Sequence, residues 1–164
     1  MELAAETAED SWEVEALYDL CFAPGREALS SYRLRDDVPP VAGLCLVLRD
    51  ENGLAAAIRF WPVAVGGAPV LLLGPIAVHP THQGEGLGGW LMAESLQRAT
   101  ALGWSRVLLV GDAPYYSRFG FQRLHGVHMP PPTNPARVLG LELVAGAWAG
   151  VQGEVTKSEV MSQK

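Results

Sequence analysis

Four closely spaced glycines mark the stretch of this sequence that is best suited to chemistry. Gly84, Gly86, Gly88 and Gly89 follow an apolar run typical of a strand, Leu71 to Val78, and a helical pattern begins among them. A strand, a glycine-rich turn and a helix N-terminus together present backbone N–H groups without partners, backed by the positive end of the helix dipole. The pattern predicts a binding site for a phosphate-bearing ligand.

Three kinds of phosphate site share this outline. A P-loop needs a Gly-Lys step followed by Ser or Thr, and no Gly-Lys pair occurs in the chain. The dinucleotide fingerprint G-x-G-x-x-G is matched by Gly84, Gly86 and Gly89, but about 75 residues follow it and many of them lie in a proline-rich stretch. The dinucleotide interpretation therefore stays as the weaker alternative.

The third kind is a coenzyme A loop. The segment Gln83-Gly84-Glu85-Gly86-Leu87-Gly88 resembles the Gln/Arg-x-x-Gly-x-Gly/Ala pattern of the GCN5-related N-acetyltransferases (GNAT). A second segment, Tyr115 to Phe121, looks like the Tyr-x-x-x-Gly-Phe segment that follows the next strand in that family, and His79-Pro80 precedes the loop. The resemblance spans roughly Leu71 to Phe121, and its wording is most similar to the YhbS-like branch of predicted acetyltransferases.

The resemblance implies a fold and a donor substrate. The fold would be α/β (α+β), with a mixed, mostly antiparallel sheet of six to seven strands, a splayed pair of parallel strands and about four flanking helices. Residues 1–164 would form a single domain, and acetyl-CoA would be the acyl donor. By resemblance, the backbone of Ile76, Ala77 and Val78 pairs with the pantetheine arm. The other implied cofactor contacts are Gln83, Gly84, Glu85, Gly86, Leu87, Gly88 and Gly89 around the pyrophosphate, together with Asp112, Ser117 and Phe119.

Acetyl transfer also needs a polarised thioester and a proton for the leaving thiolate. We expect the strand distortion that frees backbone N–H groups at Gly74-Pro75, because proline cannot donate to a sheet ladder and glycine tolerates a bulge. Family position implies Tyr116 as the general acid, since a phenol with a pKa of about 10 is protonated at neutral pH. The alternative, that this tyrosine only packs in the core, stays open.

Two features depart from the family pattern. Glu85 stands where many relatives carry Lys or Arg, so a favourable charge beside the pyrophosphate is missing unless Arg118 or Arg123 reaches it. The strand at 71–73 lacks a glutamate that could act as general base. The alternatives left open are an amine that arrives neutral or a water-relayed base, for which the candidates are Asp112, His79 and Glu142.

Candidate residues for binding the acceptor amine lie on the early helices and on the strand that follows them. The run Arg26 to Arg35 predicts a second short helix beside the acceptor cleft. Its candidates for touching the substrate are Tyr32, Arg33 and Arg35, with an ordinary solvated surface as the alternative for each. Arg59 and Trp61 share one face of a strand and could hold a carboxylate-bearing acceptor by a bidentate contact and a flat wall. His128 is a further candidate.

The elements that must position these residues can be read along the chain. Asp10-Ser11 can cap a first helix that ends before Pro24-Gly25 and shares one apolar face. The residues of that face are Trp12, Ala16, Leu17, Leu20 and Cys21. Antiparallel strands are predicted over 44–49, 54–65 and 70–73, joined by turns at Asn52-Gly53 and 66–69. Their order, a meander before the glycine turn, favours the acetyltransferase fold over a doubly wound dinucleotide domain.

The second half of the sequence predicts a helix after the glycine turn, then a strand parallel to the strand at Leu71 to Val78, and then a short helix. The helix after the glycine turn reaches Leu102-Gly103, the strand covers Val107 to Val110, and Pro114 can open the short helix. The last two strands are expected from Phe121 onward and over Leu139 to Val144. The proline-rich segment 129–135 cannot be regular structure and either roofs the acceptor site or only connects strands. The tail from Gln152 is expected to fray.

The composition of the chain limits the kinds of function that we expect. A chain of 164 residues with 49% hydrophobic content suits one domain, and a net charge of −6 disfavours nucleic-acid binding as the main role. Cys21 and Cys45 are read as free thiols in a reducing compartment, and the start is not signal-like, so a cytoplasmic location is expected. No run is long enough for a membrane helix. The two His-x-x-His pairs lack cysteine or paired carboxylates at ligand spacing, so no metal is predicted.

The function predicted is acetyl transfer from acetyl-CoA to a primary amine of a small molecule, peptide or protein, by direct attack in a ternary complex. The partners expected are this amine acceptor, no nucleic acid and no membrane, with a homodimer left open. The rival hypothesis is a non-catalytic acyl-CoA-binding or regulatory module with the same fold, because no general base is evident.

Overall fold

One sheet runs through the molecule and is covered by helices on both faces. The computed structural model describes residues 1–22, 32 and 34–158. The nine strands in this part of the chain are β1 (Glu2–Ala5), β2 (Leu46–Asp50), β3 (Gly53–Val65), β4 (Ala68–Val78), β5 (Arg106–Val110), β6 (Gln122–Arg123), β7 (Val127–His128), β8 (Val138–Glu142) and β9 (Gly153–Lys157). The α-helices described are α1 (Ser11–Cys21), α2 (Leu87–Ala101) and α3 (Ala113–Tyr116), with 3-10 turns at Ala8–Asp10, Pro80–His82, Ser117–Phe119 and Pro135–Arg137.

The architecture is the predicted one, a mixed and mostly antiparallel sheet with a splayed parallel pair and flanking helices. The described strands number nine instead of six to seven because the short β7 and the C-terminal β9 add to those expected. Three α-helices are described against about four expected, and most of the predicted helix from Arg26 to Arg35 lies outside the described residues. None of the described helices is long and apolar enough to cross a membrane.

The strand order is β1-β2-β3-β4-β5-β8-β6, with β9 beside β3 and β7 beside β9. Strands β2 to β4 form the predicted antiparallel meander, and β1 pairs antiparallel with β2. Strand β5 is parallel to β4, as a crossover through the whole of helix α2 requires. This crossover places the N-terminus of α2 directly after the end of β4.

The parallel pair is joined over a short distance only. The register pairs Leu71 with Val107 and Leu72 with Leu108, and no residue of β4 beyond Leu72 pairs with β5 in the described chain. The two strands therefore diverge, and the edge of β4 that faces β5 is left without ladder partners from residue 73 onward.

A bulge accompanies this divergence. Strand β3 pairs Ile58 with Ile76 and Phe60 with Leu73, so β4 contains one more residue than β3 between the two pairs. The extra residue falls at Gly74-Pro75, where the φ of Gly74 is 133°. The predicted site of distortion is thereby confirmed, because a positive φ favours glycine and proline has no N–H to donate to β3.

Side chains that alternate along the strands pack against two different helices, one on each face of the sheet. Leu46 and Leu48 of β2 pack in the cluster that contains the buried face of α2, whereas Val47 packs against α1. Successive side chains of a strand point to opposite faces, so α1 and α2 cover opposite sides of the sheet. Both helices pack over the β3–β4 region, where the candidate site lies.

Helix α1 begins after Asp10 as predicted, but it buries a different face. Its buried residues are Val14, Leu17 and Tyr18, while Trp12 is 73% and Leu20 is 58% exposed. The face is chosen by Tyr18, whose hydroxyl donates to the Pro75 carbonyl oxygen at 3.0 Å and whose ring is fully buried. The spacing of apolar residues alone placed Trp12 and Leu20 on the buried face and did not indicate the hydrogen bond of Tyr18.

The C-terminal segment is more ordered than predicted. Residues 153–157 form β9, which pairs with Val63 to Val65 of β3 and parallel to β7. Strand β2 pairs with β3 only as far as Ile58, so the second half of β3 has an open edge that β9 can occupy. Val155 is buried there. The prediction of a frayed tail from Gln152 is wrong for these residues.

Candidate functional site

The N-terminus of α2 forms one wall of a groove. Gly84 and Gly86 have positive φ angles of 83° and 78°, and Gly86 is the N-cap. The first regular helical bond is donated by Trp90 N–H to the Gly86 carbonyl at 3.1 Å. The N–H groups of Leu87, Gly88 and Gly89 precede this bond, so they are available to an anion in the groove.

The opposite wall of the groove is aromatic and cationic. Tyr115, Arg118 and Phe119 face the glycines across a volume of about 470 Å³ that Val78 and Gln83 also line. The Arg118 guanidinium carbon lies 4.5 Å from the centroid of the Tyr115 ring. Arg123, the other cation considered from the sequence, lines a different cavity with Glu142 and Trp148. Arg118 is thus the arginine that supplies positive charge in this groove.

Glu85 is held away from the groove by a histidine. His82 Nδ1 lies 2.8 Å from Glu85 Oε1, and its Nε2 lies 2.8 Å from Asp50 Oδ2. Hydrogen bonding to Glu85 and the charges of both carboxylates raise the pKa of His82 above its ordinary value. The carboxylates contact opposite nitrogens of the ring and do not converge, and no metal-binding cluster occurs in the described residues. The bridge ties the glycine loop to the β2–β3 turn.

A second cavity lies where β4 and β5 diverge. Its volume is about 160 Å³, and its walls include Gly74, Ile76, Leu109, Val110 and Tyr116. Ile76 lines this cavity while Val78 lines the groove at α2. One edge of β4 therefore runs from the groove to the cavity.

Tyr116 reaches this cavity because α3 begins immediately after β5. The Asp112 carboxylate caps α3 by accepting the Tyr115 N–H at 3.0 Å. The Tyr116 ring packs edge-on against Tyr115 at 4.9 Å and against Phe121 at 6.0 Å. A Cβ at Gly111 would lie 2.5 Å from this ring, so only glycine fits beneath it. Burial raises the pKa of Tyr116, which keeps the phenol protonated at neutral pH.

A third cavity, of about 190 Å³, lies on the other side of Arg35. It is lined by Glu15, Tyr18, Tyr32, Arg35, Asp36, Arg59, Trp61 and Pro75. Tyr32, Arg35 and Pro75 also line the cavity of Tyr116. The two cavities are therefore neighbours separated by these side chains. The proline-rich segment 129–135, predicted as a roof or a connection, lines neither of them.

Arg59 is used within the structure. Its guanidinium bonds Glu6 through Nε at 3.0 Å and Nη2 at 2.8 Å, and Glu15 through Nη1 at 2.5 Å. Burial alone would lower the pKa of Arg59, but the hydrogen bonds with Glu6 and Glu15 outweigh it and raise this pKa. The geometry does not support Arg59 as the carboxylate-binding residue, because two carboxylates of the chain already occupy its donors.

Comparison with known proteins bears on what these cavities do. The family model "Acetyltransferase (GNAT) domain" matches residues 42–123. The chain is also 32% identical to the uncharacterized N-acetyltransferase YhbS of Escherichia coli (strain K12) over 124 residues, which are 74% of each protein. The chain belongs to the GNAT family of acetyltransferases.

Solved GNAT structures superpose on nearly the whole chain. The crystal structure of Escherichia coli YhbS in complex with CoA has a TM-score of 0.82 at 29% identity and covers 96% of this chain and 89% of its own. A GNAT family acetyltransferase from Brucella melitensis in complex with acetyl-CoA has a TM-score of 0.72 at 27% identity and covers 96% and 95%. The GNAT fold thus extends beyond the matched family segment to nearly the whole chain.

The structure brings most of the predicted GNAT donor residues to one surface. The predicted residues that line the groove or the Tyr116 cavity are Ile76, Val78, Gln83, Gly84, Gly86, Leu87, Gly88, Gly89 and Phe119. Ala77 is buried under α1, and Glu85 bonds His82. Asp112 caps α3, and the Ser117 hydroxyl donates to the Pro114 carbonyl at 3.0 Å, so neither side chain lines the groove.

Of the residues predicted to bind the acceptor amine, some line a cavity and others do not. Tyr32 and Trp61 line the third cavity, and Trp61 Nε1 donates to the Gly74 carbonyl at 2.7 Å. His128 is exposed on β7, beside Glu154 of β9, and lines neither cavity. Arg35, a candidate from the same predicted helix as Tyr32, lines both cavities, and Arg33 lies outside the described residues. A lone arginine in a predicted helix carries no local signal of what it contacts.

The His82 bridge makes a testable contribution to stability that depends on pH. Because the folded pKa is raised, this contribution is fully present below the unfolded pKa of about 6.5 and declines as pH rises through the folded pKa. A neutral imidazole has a single N–H, so one of its two carboxylates then loses its donor. We expect the melting temperature of His82→Ala to fall below that of the native protein by more at pH 6 than at pH 9. A difference that stays constant between these pH values would contradict the assignment.

Proposed function

We propose that this protein is an acetyl-CoA-dependent N-acetyltransferase that acetylates a primary amine by direct attack in a ternary complex. The observation that supports this most is the continuous edge of β4, which leads from the anion-accepting groove at α2 to the cavity that contains Tyr116. We further propose that residues 1–164 act as one domain, since the described strands belong to one sheet.

The residues present fit acetyl-CoA. The N–H groups of Leu87, Gly88 and Gly89, with Arg118 opposite them, suit a pyrophosphate. The β5-facing backbone of residues 76–78 has no strand partner and suits the amides of a pantetheine arm. Bound acetyl-CoA would supply the activated thioester. The CoA and acetyl-CoA complexes of the two solved relatives support the same donor.

The chain itself then has to orient the amine and supply one proton. In the transfer, the amine nitrogen bonds the acetyl carbon, the carbon–sulfur bond breaks, and the nitrogen loses one proton to water. Tyr116 is placed in the cavity to give its phenolic proton to the thiolate. This proton is restored from solvent in each cycle.

No general base predicted from the sequence lines the cavity. His79 caps the 3-10 turn at Pro80–His82, Asp112 caps α3, and the Glu142 carboxylate accepts the Gly146 and Trp148 N–H groups. We propose instead that the amine binds in its neutral form.

The donor site is tested by ligand-induced stabilisation. We expect acetyl-CoA to raise the melting temperature while NAD and ATP do not, because only a ligand that binds the folded state shifts unfolding. Gly88→Val should abolish the shift, since its Cβ would lie 3.4 Å from the Tyr115 hydroxyl and its branches would enter the groove. Differential scanning fluorimetry measures both effects.

Ala93→Val is the matched control, because it adds the same branched side chain at an exposed position of α2. It should keep the full shift. Stabilisation by NAD but not by acetyl-CoA, or a full shift in folded Gly88→Val, would move the donor site elsewhere. Release of free thiol with an amine panel then separates catalysis from the rival hypothesis of a non-catalytic acyl-CoA-binding module, which predicts the shift without turnover.

A further inference from the structure

Arg35 is a partly buried cation whose hydrogen-bonding capacity is incompletely used. Its Nε and Nη1 atoms are buried and have no hydrogen-bond partner among the described residues. Burial lowers the pKa of Arg35, which reflects the cost of a guanidinium removed from water. Donors of this kind are rare in folded proteins and gain most from an anionic partner.

The guanidinium is held by two aromatic rings. Its central carbon lies 4.0 Å from the centroid of the Tyr32 ring and 5.5 Å from that of Trp61. Trp61 is itself fixed by its bond to the Gly74 carbonyl, at the bulge of β4. Tyr32 also forms a hydrogen bond with the guanidinium, and these contacts leave Nε and Nη1 without partners. The side chain is therefore positioned as a donor.

Arg35 also has a different charge environment from its neighbour Arg59. The charge of Arg59 is balanced by Glu6 and Glu15, whereas no described ion pair involves Arg35. The acidic groups that line the adjoining cavity are Glu15 and Asp36, and Glu15 contacts Arg59. The Arg35 side chain borders both cavities.

The geometry points to a specific class of acceptor: we propose that Arg35 binds the carboxylate of a small amino acid whose amine is acetylated beside Tyr116. This inference rests on the proposed acetyl transfer. The Nε–H and the Nη1 N–H groups donate from different edges of the guanidinium, so a carboxylate oxygen that reaches either one receives a charge-assisted hydrogen bond. Arg35 and Tyr116 line the same cavity of about 160 Å³, so the amine and the carboxylate must be only a few bonds apart.

Matched substrates test this directly. Glycine, L-alanine and L-serine are each compared with the corresponding amide, which keeps the amine and lacks the carboxylate, by release of free thiol from acetyl-CoA. We expect kcat/KM to favour the acids by roughly 10- to 100-fold, the usual weight of hydrogen bonds to a charged group. The amides contain more neutral amine at pH 7.5, so the comparison is biased against the proposal.

Variants identify the residue. Arg35→Gln should raise KM for the acids by roughly 10- to 100-fold and leave the amides unchanged, while Arg35→Lys, which keeps the charge without the planar guanidinium, should give a smaller loss. Arg98→Gln, on the exposed part of α2, is the matched control and should change neither. Melting temperatures in the presence of acetyl-CoA confirm that each variant is folded and binds the donor.

The outcomes separate the two proposals. Acetylation of acids and amides with equal efficiency, or equal losses for both in Arg35→Gln, overturns the carboxylate site and leaves the acetyltransferase proposal standing. Donor binding without turnover on any amine overturns the acetyltransferase proposal. In that case calorimetry decides the site. The carboxylate site is supported if the CoA-loaded protein binds N-acetylglycine more tightly than N-acetylglycinamide and this preference is lost in Arg35→Gln. Equal or absent binding of the two compounds overturns the carboxylate site.

Discussion

Tyr116→Phe is expected to lower turnover by roughly 10²- to 10⁴-fold, the usual size of a general-acid contribution, while acetyl-CoA affinity stays within a few fold. The substitution keeps the ring that packs on Tyr115 and Phe121 and removes only the hydroxyl. No described hydrogen bond involves this hydroxyl, so its loss breaks no structural contact. Steady-state kinetics with an accepted amine, together with calorimetry for acetyl-CoA, measure both quantities.

Tyr115→Phe is the comparison that separates catalysis from binding. Its ring lines the groove beneath Arg118 and not the cavity at the diverging strands. Any effect should therefore fall on the KM for acetyl-CoA, with kcat within a few fold. Small and equal losses of kcat in the two variants would show that the thiolate takes its proton from water or from the acceptor amine.

Arg59→Met is expected to destabilise the fold by about 3–5 kcal/mol, because it leaves the Glu6 carboxylate buried without its counter-ion. The side chains of Arg59 and Glu6 are only 10% and 11% exposed. For a domain of this size the melting temperature should fall by roughly 6–20 °C. Chemical denaturation and thermal melting measure the loss.

The other end of the same guanidinium provides the control. The Glu15 side chain is 45% exposed, so Glu15→Gln should cost no more than about 1 kcal/mol, as solvent-exposed ion pairs do. In Arg59→Met/Glu6→Leu the charge and its partner are both removed, and much of the stability should return. A loss below about 1 kcal/mol in Arg59→Met would mean that the Glu6 carboxylate reaches water or another donor.

Local geometry was predictable wherever a few neighbouring residues dictate it. Glycines that need positive φ and a following apolar period predicted the turn at Gly86 and the helix behind it. Proline beside glycine predicted the bulge of β4, since one residue lacks a donor and the other permits the φ of 133°. The position of Tyr116 came from family resemblance, and the close packing of its ring over Gly111 became visible only in the structure.

Contacts between distant segments were decided by the tertiary structure. The sequence alone placed Arg59 and Trp61 on one strand face, but not that Glu6, 53 residues away, binds Arg59. It likewise could not foresee that the Tyr18 hydroxyl reaches Pro75, 57 residues away, and thereby sets the buried face of α1. Periodicity specifies which side chains share a face but not which charges meet across elements. That pairing depends on sheet register and helix placement. These pair Arg59 with carboxylates of the chain and leave Arg35, in the described part of the chain, as the arginine with buried N–H groups free to bind a ligand.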